Sequence, residues 1–330
     1  MRRAIAFTFL VVLGVQLAAH AQVSVQLVME HNSLLLFESI PVVATVRNFS
    51  GHSVELANHD GTPWLNFLIA DDGGATISAL EDQFIPEPVT LAPGHTASIK
   101  ANLLPHYDLR QRGSFTVRAV VDGGGTHALS ASVKFTIGNG REIWKQTIGL
   151  PASGGGTNEE YRTYSLLLHR VNYDEVLYVG VRDEAHDLVY GMIPIGPYIG
   201  MGEPSVRTDN RGHLHVLFRS GPRSLSYADI RPDAGVEKRV VYSDVLSVPQ
   251  LVADTNGVVI VRGGDQVYPH VEHVMTEDEL KPPAPLVVNP PKKKHWWSSR
   301  ASKPSPQGTN TTSSASATNA ASTNFGVRGQ

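Results

Sequence analysis

The chain of 330 residues contains no cysteine. That absence excludes disulfides, thiolate nucleophiles and cysteine-ligated zinc together. Charge is scarce as well: Asp, Glu, Lys and Arg make up 18% of the residues, and the formal net charge is -3. A nucleic-acid protein would carry a basic field, so no nucleic-acid partner is expected. There is no phosphate loop, no dinucleotide fingerprint and no G-x-S-x-G elbow. The two "GGGT" stretches, at 123–126 and 154–157, are followed by no helical pattern and read as linkers or hairpins. What the chain has in quantity is turn formers, with 30 Gly and 21 Pro. Low charge with many turns points to an all-β chain, and its length suffices to bury a core without cross-links.

The N-terminus has export character. Arg2 and Arg3 precede an apolar run, Ala4 to Leu17, broken only by Thr8 and Gln16, and Ala19-His20-Ala21 is an A-x-A site. Residues 1–21 are therefore expected to be a cleaved signal peptide, with Gln22 as the mature N-terminus and a secreted, periplasmic or cell-surface location. The run is short for a membrane anchor. Export without cysteine resembles bacterial usage.

Residues 22–140 read as one β-sandwich. "VSVQLV" (23–28), "PVVATVRN" (41–48), "WLNFLIAD" (64–71), "TASIKANL" (96–103), "SFTVRAVV" (114–121) and "ALSASVKFTI" (128–137) mostly alternate apolar with polar or small residues, separated by turn clusters. Within this stretch, Asn48, Leu91, Pro93, Gly94, Tyr107, Gly113 and Phe115 follow the order of an asparagine turn, a Leu…Pro-Gly turn and a Tyr…Gly…aromatic strand opening. In this the chain resembles bacterial immunoglobulin-like domains of the macroglobulin and BsuPI type. The resemblance implies a fold and says little of function.

Residues 141–277 repeat themselves. "PSVRTDNRGHLHV" (204–216) and "PQLVADTNGVVIV" (249–261) share P-x-[VL]-x-x-D-x-x-G-x-[LV]-x-V at a spacing of 45. The fuller copy holds four strand candidates over 204–243, "PSVRT", "LHVLFRS", "SLSYADI" and "EKRVVYS"; the next gives "PQLVA", "VVIVRGG" and "QVYPHV". An earlier copy aligns Leu177, Val179, Val181, Arg182, Leu188 and Tyr190 with Leu214, Val216, Phe218, Arg219, Leu225 and Tyr227 at an offset of 37, with "YSLLLHRV" (164–171) as its first strand and "EIWKQTIG" (142–149) as an outer strand. Four short strands per repeat of this length describe a propeller blade. The D-x-x-G hairpins are similar to those of sialidase-type (BNR-like) propellers, without the aromatic that completes the Asp-box. About three units do not close a ring, so an open β-meander is expected.

Residues 278–330 are rich in Pro and Lys, then in Ser, Thr and Asn, and are expected to be a disordered tail. Within it, Lys292, Lys293, Lys294, Trp296 and Trp297 are suited to weak contact with an anionic surface, although the simpler reading is a solvated basic patch.

Chemistry is thinly signalled. His213 and His215 share a strand face, with Asp209 or Glu272 as further metal ligands, and His270 and His273 form an H-x-x-H pair. The other copy carries Val258 and Ile260 at the positions of the first two histidines, which makes these ordinary strand residues whose replacement should cost little stability. Asp209 and Asp254 recur at a turn, which points to structure rather than to an acid pair. Arg182, Arg207, Arg219, Arg223 and Arg262 would have to converge for a sialidase-like site. The expectation is thus an exported, non-enzymatic binding or surface-associated protein with a protein or glycan partner, no cofactor, no metal and no catalytic residues. The alternative is a carbohydrate-active, sialidase-like protein with a site on the repeats.

Overall fold

Alternation in VSVQLVM buries Val23, Val25 and Leu27 and leaves Ser24, Gln26 and Val28 exposed, as a strand with one face on a core requires. The computed structural model describes residues 23–150, 160–267 and 286–287. Among the described residues every element is a strand or a turn, and the sheets form no closed barrel. The chain is all-β.

The first ten strands are β1 (Val23–Met29), β2 (Ser33–Leu35), β3 (Pro41–Asn48), β4 (Val54–Leu56), β5 (Leu65–Asp71), β6 (Val89–Leu91), β7 (Thr96–Asn102), β8 (Gly113–Gly123), β9 (Thr126–Leu129) and β10 (Val133–Gly138). One sheet runs β1-β3-β7. The other runs β2-β10-β8-β5, with β9 also on β8 and with β2 parallel to β10. Their inner faces share one core around Val42, Val46, Trp64, Phe67, Val117 and Phe135. The expected strand 128–137 is two strands. Ser130 interrupts it: its Oγ accepts from Ala119 N (2.9 Å) and donates to Ala131 O (2.8 Å), which takes the place of ladder bonds.

The second half continues with β11 (Arg141–Gly149), β12 (Tyr161–Val171), β13 (Asp174–Asp183), β14 (Leu188–Pro197), β15 (Ser205–Thr208), β16 (Leu214–Gly221), β17 (Ser224–Ile230), β18 (Val236–Ser243), β19 (Gln250–Ala253), β20 (Val259–Arg262), β21 (Asp265–Val267) and β22 (Leu286–Val287). Strands β11 to β14 form one antiparallel meander, β15 to β18 a second, and β19-β20 a two-stranded third. The sheets are stacked. Leu166, Val179 and Ile195 of the first pack on Leu214, Val216 and Phe218 of the second. On the second sheet's other face, Leu217, Leu225 and Tyr227 pack on Leu251 and Val259 of the third.

Three sequence expectations need correction. The 37-residue offset sets β13 beside β16, whereas strand order in the sheets equates β11–β14 with β15–β18. "EIWKQTIG" is thus the first strand of its sheet, at the edge and paired to β12. Low similarity between β12 and β15 hid this. The third strand expected within "QVYPHV" does not join the third sheet. After Gly263-Gly264 the chain turns back, and β21 pairs with β18 of the second. Finally, part of the expected tail is ordered. β22 pairs with β14, and Leu286 packs at the junction of sandwich and first repeat sheet, because the strand finds a sheet edge and the apolar Leu286 a hydrophobic seam to fill. The rest of the expected tail lies outside the described residues, as does the expected signal segment.

Candidate functional site

The two repeated turns have the same geometry. Asp209 Oδ1 accepts from Arg211 N (2.9 Å) and His213 N (2.9 Å); Asp254 Oδ1 accepts from Asn256 N (2.9 Å) and Val258 N (2.8 Å). Gly212 and Gly257 follow at φ +80 and +77, which side chains with a Cβ resist. The turns also bind one another, since Asn210 N donates to Gly257 O (3.3 Å) and Asn210 Nδ2 to Asn256 O (2.8 Å). Repetition in the sequence is repetition of one capped hairpin, stacked unit on unit.

Burial separates the two copies. Asp254 is exposed, whereas the Asp209 side chain is fully buried and joins a polar cluster. His213 Nδ1 lies 2.9 Å from Asp229 Oδ1, and His215 Nδ1 lies 2.8 Å from the Tyr227 hydroxyl. His215 Nε2 faces Asp209 Oδ2 at 3.5 Å, and Arg211 Nε donates to the same oxygen (3.1 Å). Strand pairing places His215 directly opposite Asp229. Burial raises the Asp209 carboxyl, but hydrogen bonds from His213 N and from Arg211 outweigh it and hold the group below the usual carboxylate range. Burial lowers His215 despite the attraction of Asp229 and Asp209. No group of three metal-ligating side chains is arranged for an ion among the described residues.

These histidines are therefore not inert strand residues, which corrects the expectation that their loss would be cheap. They bond to acids and to a tyrosine inside the sheet interface, and removing either leaves a buried partner unpaired. The partners Tyr227 and Asp229 were missed in the sequence, although counting back across the β16–β17 hairpin would have found both.

A pH dependence follows. The folded protein binds the His215 proton more weakly than the unfolded chain, since its value lies below the ordinary 6.5. Its contribution is complete above that pH and is lost as pH falls through the lowered folded value. His31 acts oppositely. A hydrogen bond to Glu38 outweighs burial and raises it, so its contribution is full below 6.5 and fades as pH rises through the raised value. Melting temperatures compared at pH 7.5 and 5 should fall more for the parent than for His215→Gln, in which the His31 effect is retained. Equal falls would contradict this assignment.

A second buried acid ties the halves of the chain together. Glu38, 2% exposed, accepts from Leu35 N (2.7 Å), lies 3.2 Å from His31 Nε2 and accepts from the Tyr178 hydroxyl at 3.2 Å. Ser33 Oγ meets His169 Nε2 at 2.9 Å alongside. Residues that carried the sandwich resemblance also have structural tasks. Asn48 Nδ2 donates to His52 O and Leu91 O, both at 2.8 Å, and the Tyr107 hydroxyl donates to Asn66 Oδ1 (2.7 Å) while accepting from Phe67 N.

The arginines are distributed. Arg182 lies over the Phe37 ring, Arg219 donates to Asp244 (2.8 Å), Arg207 and Arg223 are exposed on separate segments, and Arg262 ends β20. Glu272, His270, His273 and the Lys292–Trp297 stretch lie outside the described residues.

Hollows open at the surface of the described residues. One of about 620 Å³ lies on the sandwich beside Asp71, Asp72 and Lys134. Another, of about 380 Å³, lies between the starts of β15 and β19, with Leu217, Leu225 and Leu251 as its apolar wall and Glu203, Ser205 and Gln250 among its polar groups. β15 and β19 are both edge strands, so backbone groups adjoin this cleft.

No family model and no curated protein sequence matches the chain. Among solved structures, it is similar to a mutant β-glucosidase from Listeria innocua in complex with laminaribiose, at 16% identity and TM-score 0.23, over 35% of this chain and 16% of that one. It is also similar to Spo0M, a sporulation control protein from Bacillus subtilis, at 12% identity and TM-score 0.26, over 61% of this chain and 80% of that one. The chain thus spans about a sixth of the glucosidase's length. Likenesses of this size carry no argument about fold or function.

Proposed function

We propose that the chain is an exported, non-enzymatic binding or surface-associated β protein whose protein or glycan partner engages the repeat half. The cleft between β15 and β19 carries this reading. It offers apolar wall, polar rim and two strand edges to solvent. The groups with chemical potential are spent elsewhere: Asp209, His213, His215 and Asp229 are buried and hydrogen-bonded to one another, to backbone or, for His215, to the Tyr227 hydroxyl. Export rests on the Arg-apolar-Ala pattern of residues 1–21. Two largely antiparallel sheets on one core support an immunoglobulin-like reading of the sandwich, and stacked meanders with equivalent turns support a blade-like reading of the repeats.

Arrays of bacterial envelope glycans and of extracellular proteins, probed with the parent and with Glu203→Arg, test this. Binding by the parent that falls about tenfold in the variant, with melting unchanged, is expected. Turnover of sialosides or β-glucosides by the parent, lost in the same variant, would replace it with the carbohydrate-active alternative.

A further inference from the structure

Among the described residues, each sheet of the repeat half is covered by the next, until the third. Leu251, Val259 and Val261 face inward onto the second sheet. The opposite face of β19-β20 bears Val252 and Ile260 as a cross-strand pair, with Val258 beside them, and Gln250 and Arg262 pair at one end. Asp254 stands at the other end, in the turn. On this face Ile260 is 44% exposed and Val258 is exposed beside it. Exposed apolar side chains gathered on one terminal sheet mark an interaction surface.

We propose that this face is a homodimer interface, packed on the same face of a second copy with the strands running antiparallel. The order of chemistry along the face selects a second copy as the occupant. It runs from a carboxylate, Asp254, through valines and isoleucine to a cation, Arg262. A twofold axis across the strands lays Arg262 against the partner's Asp254 and apolar centre on apolar centre. An axis along the strands would oppose arginine to arginine. A face whose two ends complement each other is complementary to itself, which is what an isologous contact needs. Two copies thereby continue the sheet-on-sheet stacking that the three sheets of one chain begin. This goes beyond the ligand reading, because the cleft opens at the strand edges between the second and third sheets and has only Gln250 in common with this face.

The absence of cysteine makes the test clean. Ile260→Cys in the full-length chain should be joined into a covalent dimer by a short bismaleimide, while Tyr173→Cys, on the exposed turn between β12 and β13, should not be cross-linked. Light scattering should show a concentration-dependent dimer for the parent, weakened about tenfold by Arg262→Glu and abolished by Ile260→Lys, with melting of the monomer unchanged. A parent that stays monomeric up to its solubility limit would overturn the proposal. So would an Ile260→Cys variant whose thiol resists maleimide in the monomer, since its own chain would then cover the face. Ligand binding at the cleft is scored separately, by Glu203→Arg.

Discussion

Gly212→Val is expected to lower stability by roughly 2–5 kcal/mol, and Gly257→Val by roughly 1–3 kcal/mol. Both glycines hold the same left-handed conformation, at φ +80 and +77, and a β-branched residue is strained in either place. The difference comes from neighbours. A Cβ on Gly212 would lie 2.5 Å from Leu150 Cδ2 and 3.5 Å from Pro232 Cγ, because the first repeat sheet packs over that turn. A Cβ on Gly257 meets nothing closer than Asn210 Cβ, at 3.4 Å. Thermal melts of the two variants check this. Equal losses would mean that the first turn is not enclosed by its neighbouring unit.

Much of the fold is legible in the sequence because its periods are short. Alternation within "VSVQLV" or "SLSYADI" fixes which side chains enter a core, and the recurring D-x-x-G fixes where hairpins turn. Strand exchange between sheets is not written at that range. β21 leaves its own hairpin for β18, a choice set by the Gly263-Gly264 turn and by the open edge of a neighbouring sheet. β22 was hidden for a similar reason. Leu286 sits among prolines, and only the distant seam between sandwich and first repeat sheet gives it a place to pack. The polar cluster was half visible. His213 and His215 are plain in the sequence, and register sets Asp229 opposite His215. The Glu38–Tyr178 contact, spanning 140 positions, has no local signal at all.

The aspartates test the largest claim, that the buried acids and imidazoles of the second repeat sheet stabilise its fold. Asp209 and Asp254 make the same pair of backbone hydrogen bonds, so the turn itself gives both the same contribution, about 1 kcal/mol. Of the two, Asp209 alone is buried, and it faces His215 and Arg211. Its removal leaves His213 N without its side-chain acceptor inside the protein and deprives His215 and Arg211 of the carboxylate they share. Losses at buried charged networks run to about 3–5 kcal/mol. The decisive measurement is thermal denaturation of Asp209→Ala beside Asp254→Ala at neutral pH. A stabilising buried cluster predicts a large loss for the first and a loss of about 1 kcal/mol for the second. An Asp209→Ala protein that melts like the parent would contradict the account.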